Sequence, residues 1–341
     1  MIRWPAPLRH GASIAVWAPS SPAPVFFPHR FDRGLRHLRH EGFAVRPLPS
    51  CGAALGVSTL EPGELADELH QALMDPACGG VMAAVGGWTL INVLPHIDWE
   101  LVAFAAKPVV GYSDVTSLLN SVARRSGLVA FHGPMVLSEW GEAGGSWDFT
   151  RSEFRKAVGA DGPWNRHRVG EPTVWSDETL WWDKEDSRPR APRSVPERVR
   201  VVRGAPAEVE GPLWGGSLAV LSLVLGTPYV DQPEGSVVFI ECEALAADEF
   251  AARLRQMELA GVFERAVGLV VGRIGNARSC LSGHRDFDEV LRTVVPPRLP
   301  IAAGYALGHS TPMTTLPVGG TVRLVCPAGE RPRLTLIGPA G

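Results

Sequence analysis

The segment KPVVGYSDVTSLL, residues 107–119, carries the sharpest chemical signal in this chain. An apolar run enters Gly111-Tyr112-Ser113-Asp114 and leaves with Val115, Leu118 and Leu119 at helical spacing. Strand, tight turn, serine and helix is the arrangement that lifts a hydroxyl nucleophile out of a sheet. The helix start adds backbone N–H groups and a dipole that favour developing negative charge. Val115 stands where an α/β-hydrolase elbow has its second glycine, so that particular fold is not supported. The same residues also suit a plain N-cap at Ser113 or Asp114.

Three further features lie at strand-like ends. Gly86-Gly87-Trp88 follows the apolar run Val81–Val85, and two glycines there let the backbone turn its N–H groups into a cleft. This feature reads as an oxyanion donor or as an ordinary βα turn. Glu241 ends Val237-Val238-Phe239-Ile240, at the sheet edge where α/β sites form. A carboxylate there can orient a histidine or simply meet solvent, and Glu243 competes for the role. His309 lies between Gly308 and Pro312 in a loop suited to presenting its ring, although a chain with 10 histidines has ordinary loop histidines too. Together the four features supply a nucleophile, a base, an orienting acid and an oxyanion donor.

The elements that must position them alternate in period. Ser13–Ala18 is strand-like and stopped by Pro19-Ser20-Ser21-Pro22. Helical spacing follows over Pro28–Glu41, with Phe31, Leu35 and Leu38 on one face, and over Glu64–Met74, with Leu65, Leu69 and Leu73. Gly80–Val85 and Lys107–Tyr112 are the next strands, and this rhythm predicts an α/β fold with a parallel N-terminal sheet. Residues 166–206 form a Trp- and Pro-rich connection, within a stretch holding Pro163, Pro172, Pro189, Pro192, Pro196 and Pro206 and Trp164, Trp175, Trp181 and Trp182. It separates an N-terminal domain, 1–165, from a second domain, 207–341. There, Gly211–Leu225 reads as a Gly-rich turn entering a helix, Ser236–Ile240 and Ala266–Gly272 as strands, and Asp248–Gly261 as an amphipathic helix with Phe250, Leu254 and Met257 inward. Thr321–Pro327 and Arg333–Ile337 read as closing strands of a β-rich domain.

Composition narrows the function. A chain of 341 residues, 45% hydrophobic and 20% charged, can bury a sizeable core. Its net charge of -3 argues against nucleic acid as a partner. Cys51, Cys78, Cys242, Cys280 and Cys326 form no CxxC pair and read as reduced cytosolic thiols, not as a metal site. The N-terminal residues lack the pattern of a signal peptide, and no apolar run reaches about 18 residues, so a cytoplasmic protein without a membrane span is expected.

Seven segments in order across nearly the whole chain resemble the LD-carboxypeptidase and microcin C self-immunity family: APSSPAPVFFPHRF, VGGWTLINVLPHIDW, VVGYSDVTSLL, FHGPM, GPLWGGSLAVLSLVLGTPYV, VVFIECEA and GHSTPMTTLPVG. The resemblance implies Ser113 as nucleophile, His309 as base and then acid, and Glu241 as the residue that fixes the imidazole. It implies oxyanion donors at the N–H groups of Gly87 and Asp114, an α/β N-terminal domain facing a C-terminal domain across the active-site cleft, no metal or organic cofactor, and a homodimer. Val85-Gly86-Gly87-Trp88-Thr89 lacks the Arg and final Gly of the R-G-G-Y-G that peptidoglycan-recycling members resemble. Trp175-Ser176-Asp177-Glu178 with Trp181-Trp182 is similar to the self-immunity branch, where loop aromatics stack on a nucleobase, although interdomain packing also accounts for tryptophans there. Ser217 stands where self-immunity relatives often have Asn, in a position that bears on substrate choice. The resemblance thus implies hydrolysis of the bond between an acidic aminoacyl group and a sulfamoyl or phosphoramidate adenylate. The alternatives are removal of terminal D-Ala from a muropeptide tetrapeptide, or sequestration of a peptide or nucleotide without catalysis.

Overall fold

The computed structural model describes residues 2–339 apart from 163, 165, 194–197, 205–206, 244 and 275–286. Pro163, Pro196, Pro206 and Cys280 therefore lie outside the described residues. Two sheets organise the rest. In chain order the strands are β1 (Ser13–Trp17), β2 (Ala44–Pro47), β3 (Gly80–Ala83), β4 (Val109–Gly111), β5 (Ala130–His132), β6 (His167–Arg168), β7 (Arg200–Arg203), β8 (Glu208–Ser217), β9 (Ser236–Glu241), β10 (Ala266–Gly272), β11 (Ile301–Tyr305), β12 (Leu316–Val318), β13 (Thr321–Val325) and β14 (Arg333–Leu336).

The first sheet has the order β12-β5-β4-β3-β1-β2 and is parallel except at β12, which runs antiparallel to β5. The second has the order β6-β14-β13-β8-β9-β10-β11-β7. Its centre, β8 to β11, is parallel, and antiparallel pairs close both flanks. The expected α/β fold with a parallel N-terminal sheet and a β-rich second domain is what the chain adopts.

The helical periods are met almost to the residue. Pro28–His40 buries Phe31, Leu35 and Leu38, and Pro62–Met74 buries Leu65, Leu69 and Leu73. Proline opens both helices, where its missing N–H costs no internal bond, and the Glu64 carboxylate accepts the Glu61 N–H at 3.1 Å to cap the second. Ala247–Leu259 turns Phe250, Leu254 and Met257 inward. One segment differs. The glycines of Gly211–Ser217 lie in the long strand β8, and the helix begins only at Leu218. Glycine-rich backbone shows no side-chain alternation, so a period-2 pattern has nothing to register there.

The apolar residues sort into three layers. One packs the helices Pro28–His40 and Asp148–Ala157 on the outer face of the first sheet. Another packs Ala247–Leu259 and Phe287–Val294 on the outer face of the second. Between them a continuous cluster joins Trp17, Leu69, Val81 and Leu118 to Leu213, Phe239, Val270 and Leu324. The two sheets share that core. The ends of the connecting region, β6 and β7, are themselves strands of the second sheet.

Candidate active site

Ser113 follows β4 directly and opens the turn that leads into the helix Thr116–Ser121. Its φ is +59°, left-handed for a residue with a Cβ. Such a backbone costs about 1–3 kcal/mol and persists only where the surroundings over-determine it. The surroundings here are specific. Asp114 is buried, and its Oδ2 accepts the Ser20 hydroxyl at 2.8 Å and the Leu90 N–H at 3.0 Å. Burial pushes the Asp114 pKa up, and those two donors partly offset it. Ser20 Oγ also accepts the Thr89 N–H at 3.0 Å. The end of β1, the Gly86-Gly87 loop and the serine turn are thereby tied into one unit. A Cβ on Gly86 would stand 2.9 Å from Ser113 Cβ, and one on Gly87 2.2 Å from Ser20 Oγ, so this approach is open to glycine.

The other two polar side chains come from the second half of the chain. Glu241 ends β9, wholly buried. His309 lies past β11 in a loop held from several directions. Ser176 and Thr311 exchange backbone bonds of 2.6 and 2.8 Å, Met313 N donates to Thr150 Oγ1 at 3.0 Å, and Thr314 Oγ1 donates to Glu153 Oε2 at 2.9 Å. Gly308, at φ +67°, precedes the histidine, and a Cβ there would collide with Glu241 Oε2 at 1.9 Å. With that space free, His309 Nδ1 reaches Glu241 Oε2 at 2.8 Å, while Nε2 lies 3.3 Å from Ser113 Oγ. Glu243, the competitor in sequence, is exposed and no nearer than 3.9 Å to the imidazole.

Charge follows the geometry. Burial by itself would lower the His309 pKa, but the Glu241 charge and hydrogen bond outweigh it and raise the value to about 9. Burial would raise Glu241, and the same imidazole holds it below its ordinary value. A serine hydroxyl, an imidazole and a buried carboxylate in line can transfer a proton from oxygen to nitrogen and hold the cation that results.

The expected substrate contacts divide. Ser217 ends β8 in register with Glu241, and its N–H donates to Thr116 Oγ1 at 3.0 Å, so it lies beside the relay. Trp175 is 9% exposed and lies against the guanidinium groups of Arg193 and Arg273, 5.7 and 5.4 Å from its ring centre. Trp182 packs edge-on to Phe27 at 5.4 Å, with Arg30 4.5 Å over its ring. Trp181 is 65% exposed. Sequence reasoning could not rank these three, because spacing says nothing of which ring a loop turns outward. It also passed over Tyr112, His132 and Glu139, which line the buried side of His309; Tyr112 lies edge-on to that imidazole at 5.1 Å. His132 was visible only within FHGPM.

Residues 14–133 match the LD-carboxypeptidase N-terminal domain and residues 210–324 match the LD-carboxypeptidase C-terminal domain, in that order. The chain belongs to the LD-carboxypeptidase family. Among members of that family it is 27% identical over 315 residues to a putative carboxypeptidase of Vibrio cholerae, with 92% of each chain covered. It is 27% identical over 321 residues to the microcin C7 self-immunity protein MccF of Escherichia coli, covering 92% of this chain and 90% of that one. A probable murein peptide carboxypeptidase of Bacillus subtilis is 26% identical over 320 residues, covering 92% and 89%. MccF solved in complex with aspartyl sulfamoyl adenosine superposes with a TM-score of 0.90 at 25% identity, over 99% of both chains. The muramoyltetrapeptide carboxypeptidase of Oxalobacter formigenes shares the fold, with a TM-score of 0.76 at 24% identity over 97% of this chain and 100% of that one. As a family member this chain is an LD-carboxypeptidase or MccF-like hydrolase. Among the described residues, no helix is long and apolar enough to cross a membrane.

Proposed function

We propose that this chain is a serine amide hydrolase of the self-immunity type, acting on an acidic aminoacyl group joined through an amide-like nitrogen to a sulfamoyl or phosphoramidate adenylate. The observation that carries the hydrolase reading is the unbroken relay from Glu241 through His309 to Ser113, and the likeness to MccF in complex with aspartyl sulfamoyl adenosine supports the substrate class. Ser113 Oγ attacks the acyl carbon while its proton passes to His309 Nε2. Glu241 holds the imidazolium, and the N–H groups of Gly87 and Asp114 receive the oxyanion. His309 then gives the proton to the departing nitrogen, leaving an acyl-serine. Water, deprotonated by the same imidazole, releases the amino acid and restores Ser113.

Trp181 is the candidate base platform, because its ring is exposed while Trp175 and Trp182 are packed. The loop that bears it is tied at Ser176 to Thr311, two residues past His309. A flat indole stacks on any base, contributing about 1–3 kcal/mol. Ser217, beside Glu241, is the candidate contact to the acyl side chain.

Turnover of aspartyl sulfamoyl adenosine and of a muropeptide tetrapeptide, measured side by side, tests this. The expected result is release of aspartate from the first, absent in Ser113→Ala. Trp181→Ala should weaken kcat/KM for the nucleotide about tenfold or more. Efficient release of D-Ala from the muropeptide, insensitive to Trp181→Ala, would favour the murein reading, which the Bacillus relative supports. Tight binding of the adenylate without turnover by the wild type would favour sequestration.

A further inference from the structure

A buried polar pair behind His309 has no part in the proton transfers above. Tyr112, the residue before Ser113, is buried, and its hydroxyl donates to Glu139 Oε1 at 2.9 Å. Glu139 is buried too, and its Oε2 accepts the Met135 N–H at 3.0 Å. Both carboxyl oxygens are thereby held, one by a phenol and one by backbone. The Tyr112 ring in turn meets the His309 imidazole with centres 5.1 Å apart and planes at 69°, an edge-to-face contact. His132 backs the same wall, 5.9 Å from the Tyr112 ring and 5.1 Å from that of Phe239. Burial pushes the His132 pKa down to about 4, so it stays neutral at ordinary pH and is no second base.

The pair is an expensive way to fill space. Burial drives the Glu139 pKa up to about 7 against the opposing pull of the Met135 and Tyr112 donors, and it drives the Tyr112 hydroxyl upward as well. Phenylalanine and an apolar neighbour would fill the same volume without desolvating a carboxyl and a phenol. What the pair adds is a ring locked in place. His309 is gripped at its two nitrogens by Glu241 and Ser113, yet those bonds leave the imidazole free to rock out of line. An aromatic wall limits that motion without competing for either nitrogen.

We infer that Tyr112 and Glu139 are positioning residues for His309: Glu139 anchors the phenol, and the phenol ring holds the imidazole in line between Glu241 and Ser113. The inference rests on the Ser113–His309–Glu241 reading above. Glu241, Glu243 and Glu139 all bring negative charge toward that imidazole. Every variant at Tyr112 removes the hydroxyl that holds the Glu139 pKa down, so Tyr112→Phe, which loses only that hydroxyl, is the control for Tyr112→Leu.

Two measurements on the full chain separate the possibilities. Nitrogen-edited NMR follows the titration of the His309 ring, and a fluorophosphonate probe reports the reactivity of Ser113. In Tyr112→Leu, His309 should titrate at lower pH than in the wild type, because Glu139 gives up charge once its phenol donor is gone, and Ser113 should label about tenfold more slowly. Tyr112→Phe keeps the ring but loses its anchor. Its His309 titration should match that of Tyr112→Leu, since both lose the donor to Glu139, while labelling slows only about threefold. Folded Leu and Phe variants that label at the wild-type rate would overturn the inference. Should Tyr112→Leu fail to fold, the labelling rate of Tyr112→Phe decides by itself. A wild-type chain that the probe does not modify at Ser113 would count against the hydrolase reading, and the His309 ring signals, displaced by the ring current of the facing phenol in the wild type and not in Tyr112→Leu, would still decide the ring contact.

Discussion

At the scale of single residues, the site is dominated by one strong coupling. His309 and Glu241 sit 2.8 Å apart with the carboxylate wholly buried, and the pair shares its charge in a poorly solvated place. On the proposed reading, the neutral imidazole is the form that accepts the Ser113 proton. The rate must therefore fall as pH drops through the His309 pKa, raised to about 9 by Glu241 against the effect of burial. Glu241→Gln removes the charge and keeps the shape. The acidic limb of kcat/KM should then move to lower pH by about one unit or more. The plateau should drop on the order of a thousandfold or more, because the imidazolium loses its counter-charge. A pH–rate profile of the variant checks both. An acidic limb left in place would mean that Glu241 does not set the titration of His309.

At the scale of elements, the chain spends its special backbone at three short connections. Gly86 lets one loop touch the Ser113 turn, Ser113 itself takes a left-handed φ, and Gly308 leaves room for the Glu241 carboxylate. Gly308→Ala meets both a φ of +67° and a Cβ placed 1.9 Å from Glu241 Oε2. The substitution should lower stability by about 1–3 kcal/mol and displace the carboxylate. Thermal unfolding reads the first effect. The second should appear as a loss in kcat larger than any rise in KM, since binding surfaces are left intact. Wild-type kcat in a folded Gly308→Ala protein would show that the carboxylate has room to spare.

At the scale of the whole molecule, the two matched domains are not two independent bodies. β12, from late in the chain, completes the first sheet against β5, with Leu316 in register with His132. The middle apolar layer is built from both halves. Residues 1–165 expressed separately would expose that layer and leave β5 with an unpaired edge, a template for association. The fragment should be insoluble or oligomeric, and the full chain should unfold in one transition. Gel filtration and denaturant unfolding test this, and a monomeric fragment with its own cooperative transition would contradict it.

Local pattern determined most of the elements and pointed to the serine. Leu65, Leu69 and Leu73 announce a buried helical stripe, and GYSD between an apolar run and a helix announces an exposed hydroxyl, because both signals lie within a few residues of chain. The histidine and the carboxylate were legible as strand-end candidates, and family resemblance named them. Only the fold brought His309 to Ser113 across 196 positions of sequence. Only the fold turned Trp181 outward and Trp175 inward, made β8 a strand through its glycines, and set Tyr112 and Glu139 behind the imidazole. Those outcomes depend on which surfaces meet once the layers close. Burial and long-range contact belong to pairs of distant segments, and no period along one segment encodes them.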